Sequence, residues 1–216
     1  MDIEGMLSEH GDTARVFNQS EAMARIRALE EEVKALKREL KVKGDELDKA
    51  NASAARILDT DPLTGLVNRK YFVEMLTKAI SFAKRSNMSL SVMMCDLDSF
   101  KFIVDTYGHD IADNVMVSFA RILESSTRNE DTVARVGGDE FMLLLPNTSA
   151  EHALACADRM VETMTKLKVE GVSARLSASF GVTSIREGDT EEALLKRADD
   201  ALFKAKGSGP RKAAAV

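Results

Sequence analysis

Between Ile26 and Ile57 apolar residues return every seven positions: Ile26, Val33, Leu40, Leu47 and Ala54 in one register, and Leu29, Leu36, Ala50 and Ile57 three residues later, with Lys43 interrupting the second series. Glu, Lys and Arg fill most of the positions between them. A lone helix cannot bury so narrow a stripe. The economical partner is a second copy of the same helix, which predicts a parallel two-stranded coiled coil and therefore a homodimer. A single charged helix packed on its own domain is the alternative, because Lys43 and Gly44 weaken the middle of the seam. At 1.5 Å per residue the stalk would be about 48 Å long.

Pro62 pushes Asp61 out of the helical region, so the stalk is expected to stop near Asp59 to Pro62. Three regions follow: a flexible tail over 1–20, the coiled coil over 21–59 and a globular domain over 60–216. With 216 residues and 44% hydrophobic content, the chain supports one core of ordinary size. A net charge of -5 argues against a protein that coats nucleic acid. Cys95 and Cys156 are too few for a metal or redox framework and are expected to be reduced and buried. No run approaches the ~18 apolar residues of a membrane span. The N-terminus lacks the basic flank and apolar stretch of a signal peptide, so a cytoplasmic location is expected.

Within the domain, Phe72 to Ala83 has helical spacing and Ser89 to Cys95 reads as a buried strand. A helix carrying Val115, Phe119, Ile122 and Leu123 follows, then strands over Thr132 to Val136 and Phe141 to Leu145 around Gly137-Gly138. A helix carrying Leu154 to Met164, a strand over Ala174 to Thr183 and a helix over Thr190 to Lys206 complete the series, with Asp189 or Thr190 as the final N-cap. From Ser89 to Thr183 this is the strand-helix-strand-strand-helix-strand order of a ferredoxin-like α+β fold: a central antiparallel sheet flanked by helices. The third of those strands runs antiparallel beside the first, so the hairpin tip lies near the first strand's C-terminal end.

That placement gathers Asp96 and Asp98 with Asp139 and Glu140. Carboxylates so grouped repel one another unless cations sit among them, and hard divalent ions bind such oxygens jointly with substrate phosphates. Glycines 137 and 138 are expected to supply positive φ at a tight turn and bare backbone for a nucleotide. Polymerase-like, cyclase-like and purely nucleotide-binding readings all fit this pattern.

The motifs themselves narrow the choice. Gly137-Gly138-Asp139-Glu140-Phe141, with Asp96-Leu97-Asp98-Ser99-Phe100-Lys101 and Tyr107-Gly108-His109 before it, resembles the GGDEF family of diguanylate cyclases. Asp61-Pro62-Leu63-Thr64-Gly65-Leu66-Val67-Asn68-Arg69 and Ala198 to Lys206 extend the likeness over roughly residues 60 to 206. The resemblance implies a palm-type GGDEF domain that joins two GTP molecules, one on each of two facing domains, into cyclic di-GMP with release of two pyrophosphates. It implies Mg²⁺, two ions per half-site, with Mn²⁺ as a substitute. Asp96, Asp139 and the backbone carbonyl of Leu97 would be metal ligands, and Glu140 would assist metal binding and proton removal. Lys101 and Lys206 would hold the terminal phosphates. Asp113 would read guanine, and Phe100, His109, Gly137 and Gly138 would also border the substrate, His109 by bridging its loop.

Arg128-Asn129-Glu130-Asp131, with five residues between it and Gly137, resembles the family's RxxD site for product inhibition. Arg159 matches a secondary contact that the family draws from a neighbouring domain. Because one domain holds one substrate, the stalk acquires a purpose: it raises the effective concentration of the second half-site.

The chain departs from the family where the base is read. Val104 stands where the family usually has Asn, a loss worth about 1 to 3 kcal/mol if it leaves a base edge unpaired. Ala112 replaces a glycine, and Pro210-Arg211 replaces the usual Arg-Asn. Three other expectations follow: a degenerate protein that serves as a cyclic di-GMP receptor, a cyclase of altered base choice, and a coiled-coil scaffold.

Overall fold

The computed structural model describes residues 22–47, 59–207 and 213–215. The expected tail over 1–20, the stalk positions beyond residue 47 up to 58, and Arg211 lie outside the described residues. The chain divides into two units, Met1–Ala55 and Arg56–Val216.

In the first unit residues 22–47 form helix α1. Ile26, Leu29, Val33, Leu36, Leu40 and Leu47 are between 46% and 74% exposed, so the seven-residue stripe is uncovered in the single chain. Lys34 and Glu31 pair at 2.7 Å on its surface, a contact worth little in water.

The second unit is a six-stranded sheet with helices on both faces. Its elements run β1 (Val67–Asn68), α2 (Arg69–Ser86), β2 (Leu90–Leu97), α3 (Phe100–Tyr107), α4 (His109–Ser125), β3 (Thr132–Arg135), β4 (Glu140–Pro146), α5 (Ala150–Lys166), β5 (Ala178–Ser184), α6 (Glu191–Gly207) and β6 (Ala213–Ala215). The strand order is β1-β3-β4-β2-β5-β6. The four inner strands are antiparallel throughout, as the ferredoxin-like order predicts. The short edge strands β1 and β6 add in parallel and make the whole sheet mixed, which the sequence pattern did not anticipate.

Alternation along the strands assigns the faces. Met93, Cys95 and Leu97 of β2 pack with Phe141 and Leu143 of β4 and Phe180 and Val182 of β5, beneath Met116 and Phe119 of α4 and Met160 of α5. Phe119 meets Phe141 edge to face, centroids 5.1 Å apart at 86°. Val92 of β2 and Leu144 of β4 turn the other way, under Phe72, Leu76 and Ile80 of α2 and Leu194 and Ala198 of α6. Gly181 of β5 faces α6 as well. A Cβ there would collide with the backbones of Ala198 and Leu202, so helix and strand meet main chain to main chain.

Local signals account for the element ends. Asn68 caps α2 by accepting from Tyr71 N, and Ser149 caps α5 by accepting from His152 N. Thr190 Oγ1 accepts from Ala193 N at 3.2 Å and is the cap expected for α6. Asp189 instead pairs with Arg197 at 2.6 Å. The last inner strand begins at Ala178 rather than Ala174, and helix α3, unread from the sequence, fills Phe100–Tyr107. Cys95 is buried as expected, but Cys156 is only half-buried and lies 3.6 Å from Ser126 O. No helix among the described residues is long and apolar enough to cross a membrane.

Candidate active site

The end of β2 and the start of β4 are paired so that Asp96 faces Glu140 across the sheet, one step beyond Cys95 and Phe141. Cys95 and Phe141 point into the larger core cluster, so Asp96 and Glu140 project from the opposite face, the one that α6 covers. There Lys206, in the last turn of α6, places Nζ 2.9 Å from Asp96 Oδ2. Burial pushes the Asp96 carboxyl above its ordinary value; the Lys206 ammonium opposes that shift, and the negative charges of Asp139 and Glu140 add to it. The structure thus gathers Asp96, Asp139, Glu140 and Lys206 at one corner.

Hairpin closure is set by Val136 N donating to Glu140 O at 3.0 Å and Gly137 N donating to the same oxygen at 3.4 Å. The expected positive φ is corrected: neither Gly137 nor Gly138 adopts it. Glycine at 137 serves a close approach instead, since a Cβ there would lie 2.6 Å from Glu140 Oε2. Nothing lies within 4 Å of where a Gly138 Cβ would stand, so that side of its backbone is open, as a nucleotide contact would need.

Arg135, which the sequence reading passed over, fixes this tip. Its Nε and Nη2 donate to Gly138 O at 3.1 and 2.7 Å. Its Nη1 donates to Asp61 Oδ1 and Oδ2 at 3.1 and 3.3 Å. Asp61 also accepts from Thr64 N at 2.9 Å and Thr64 Oγ1 at 2.7 Å. Burial raises the Asp61 carboxyl, but the Thr64 bonds and Arg135 outweigh it and leave the group below its ordinary value. The segment Asp61 to Thr64 is therefore wired to the hairpin. An Arg two residues ahead of Gly137 was the available signal. Asp98, grouped with the site carboxylates from sequence, is engaged by Ser177 and Ser179 hydroxyls, each at 2.7 Å.

Of the positions expected to border substrate, Phe100, Lys101, Val104, His109 and Asp113 occupy α3 and α4, directly after β2. Lys101, His109 and Asp113 are exposed. Phe100 and Val104 are half-buried against the larger core cluster. His109 opens α4, whose N-cap is Gly108.

A second locus lies between α4 and β3. Asp131 Oδ2 accepts from Arg128 N at 2.8 Å, while its Oδ1 is buried without a hydrogen-bond partner. Burial raises the Asp131 carboxyl, and Arg128 opposes that shift. Arg128 is exposed, 3.9 Å from Glu130. Arg159 Nη2 stands 3.4 Å from Cys156 Sγ, and the Cys156 thiol, raised mainly by burial, senses Arg159, Asp131 and Arg128. Arg128 and Asp131 line an open cleft of about 510 Å³ with Tyr71 and Thr127. Arg159 and the Arg128–Asp131 pair of its own domain thus share Cys156 as a neighbour.

As for a metal, no group of three or more His, Cys, Asp or Glu among the described residues is arranged closely enough to hold one. Donor chemistry fits a hard divalent cation nonetheless: Asp96, Asp139 and Glu140 share one corner, and their mutual repulsion is registered at Asp96.

Architecture and corner together define a palm-type domain with an acidic hairpin. Residues 58–212 match the family model described as "Diguanylate cyclase, GGDEF domain", and the chain belongs to that family. It is 40% identical over 155 residues to the response regulator PleD of Caulobacter vibrioides, covering 69% of this chain and 34% of that protein. Diguanylate cyclase A of Treponema denticola is 36% identical over 165 residues, covering 74% of this chain and 44% of that protein. The chain thus spans less than half the length of either relative. Diguanylate cyclase SiaD of Pseudomonas aeruginosa, solved with its activator SiaC, is 34% identical with a TM-score of 0.72, covering 98% of this chain and 86% of that one. The coiled coil and GGDEF domain of DgcB from Caulobacter crescentus, solved with c-di-GMP, superposes with a TM-score of 0.79 over 85% of this chain and 99% of that one; at 24% identity it supports the fold alone.

Proposed function

We propose that this protein is a diguanylate cyclase that joins two GTP molecules into cyclic di-GMP across a homodimer. The observation that carries this reading is the corner where Asp96 and Glu140 stand in register beside Asp139, with the Lys206 ammonium at Asp96. Relatives of the same family, among them the Treponema cyclase, support it.

In this reading Asp96, Asp139, Glu140 and the carbonyl of Leu97 hold divalent cations. When bound, such ions neutralise charge on the reacting phosphate and ease loss of the 3′-hydroxyl proton. Glu140 receives that proton from the hydroxyl of the nucleotide on its own domain. The freed oxygen attacks the α-phosphorus of the facing nucleotide, the bond to its β-phosphate breaks, and pyrophosphate leaves; the reciprocal step closes the ring. Lys101 and Lys206 steady the terminal phosphates as flexible point charges. Arg135 keeps the tip in place through the Gly138 carbonyl. Phe100 and His109 border the substrate, Gly137 and Gly138 give it bare backbone, and Asp113 accepts from the guanine N1-H and exocyclic amine.

Two facing domains are needed, and the uncovered stripe of α1 provides the means for a second copy to join. The domain division is read accordingly: a tail over 1–20, a dimeric coiled coil over 21–59, and the catalytic domain over 60–216. Arg128 and Asp131, with Arg159 nearby, form the site at which product binds and inhibits. The open cleft that Arg128 and Asp131 line together supports that reading. Val104 favours one variation: its side chain packs toward the core and offers the base no polar group, so selectivity for guanine rests on Asp113. Incubation with GTP and Mg²⁺ is expected to give cyclic di-GMP and pyrophosphate, and Glu140→Gln to abolish both. Binding of cyclic di-GMP without synthesis at any protein concentration would favour the receptor reading.

A further inference from the structure

Asp96 carries its negative charge under unusual constraint. Its side chain is only 12% exposed, and it shares its surroundings with Asp139 and Glu140. A carboxylate withdrawn from water beside two others requires a counter-charge. The ammonium of Lys206, 2.9 Å away and itself 43% exposed, supplies it.

The supports of the two groups differ in stiffness. Asp96 lies in the middle of a three-strand ladder, paired to both Glu140 and Ser179. The main chain of α6 is fixed by buried Leu194, Ala198, Ala201, Leu202 and Ala205 and by its contact with Gly181. Only the four-carbon stem of Lys206 can swing, and its ammonium sits at a helix C-terminus that favours positive charge wherever the stem points.

We propose that Lys206 is the resident counter-ion of Asp96 in the metal-free domain, and that it must leave this carboxylate for a divalent cation to bind there. This rests on the reading that Asp96 is a metal ligand. A cation arriving alone displaces the ammonium into water and gains correspondingly less. A cation arriving with a triphosphate lets the ammonium move onto phosphate oxygens. One side chain thereby links the two loadings, and by thermodynamic reciprocity each strengthens the other. Lys206 is then a positioning residue before substrate binds as well as a phosphate contact afterwards.

The test is Mn²⁺ binding to the whole chain without nucleotide, with free Mn²⁺ counted by electron paramagnetic resonance. Lys206→Met is expected to bind Mn²⁺ roughly threefold to tenfold tighter than the wild type, the range for an ion pair between the exposed and buried limits. Lys204→Met, which removes the same formal charge from the same helical turn, is expected to stay within about twofold, because charges exposed to water interact weakly. A non-hydrolysable GTP analogue should tighten Mn²⁺ binding less in Lys206→Met than in the wild type. Should the methionine variant not fold, Lys206→Gln is expected to match the predicted gain and Lys206→Arg to match the wild type. The proposal is overturned if removing the Lys206 charge leaves Mn²⁺ affinity unchanged or lower, if neither protein binds measurably, or if Lys204→Met gains as much. Asp96→Asn separates the underlying reading: Mn²⁺ binding that survives it would show that Asp96 is no ligand, whatever Lys206 does.

Discussion

Arg135 offers a direct probe of how the hairpin is held. Its guanidinium makes two bonds to Gly138 O and two to the Asp61 carboxylate. The side chains of Arg135 and Asp61 are only 16% and 18% exposed. Hydrogen bonds involving charged groups contribute about 1.5 to 3 kcal/mol each, but Asp61 keeps its two Thr64 bonds, so Arg135→Met should cost about 2 to 3 kcal/mol in total. At roughly 2 to 4 °C per kcal/mol for a domain of this size, that is a melting point lower by about 4 to 12 °C. Thermal melts of Arg135→Met, Asp61→Asn and the double variant would measure it, with a coupling of about 1 to 2 kcal/mol expected in the cycle. The pH dependence has a definite sign. Asp61 is held below its ordinary value of 3.8, so its contribution is present above that pH and is lost as pH falls through the lower folded value. The deficit of Arg135→Met should therefore be widest above that value and shrink in stronger acid. Melting indistinguishable from wild type, or strict additivity with Asp61→Asn, would refute the coupling.

Gly181→Ala should destabilise the domain by at least about 1 to 3 kcal/mol in urea titrations, because its methyl group would meet rigid backbone on α6. Gly137→Ala should lower cyclase rate while costing little in melting point, since the added Cβ meets the Glu140 side chain alone and most closely at its flexible carboxylate; a large loss of stability with full activity would contradict that reasoning. Arg128→Ala should raise the cyclic di-GMP concentration needed to inhibit synthesis, and unchanged inhibition would remove the second locus from product binding.

The sequence revealed the inner sheet because its two central strands, β2 and β4, carry apolar runs and the turn between β3 and β4 is marked by paired glycines. The edges stayed hidden for a physical reason: Val67–Asn68 and Ala213–Ala215 are too short to carry a period. Helix α3 escaped because it is only 8 residues long and Ile103 is its one buried residue, too short a run to display a helical period. At the site, the carboxylates were readable from topology, whereas the Lys206 pairing depends on how α6 lies over the sheet. Gly181 had a legible signal, a glycine inside a strand pattern, which commonly marks close backbone approach. The misread feature was the hairpin itself, where glycine at 137 leaves room for Glu140 rather than relieving a positive φ.

The central claim, synthesis shared between two copies, is tested most directly by following cyclic di-GMP formed from GTP and Mg²⁺ across a range of protein concentrations. Product per protein molecule is predicted to rise with concentration as dimers form and then level off. Absence of product at every concentration would contradict the cyclase, and a rate per molecule independent of concentration in protein shown to be monomeric would contradict the two-copy mechanism.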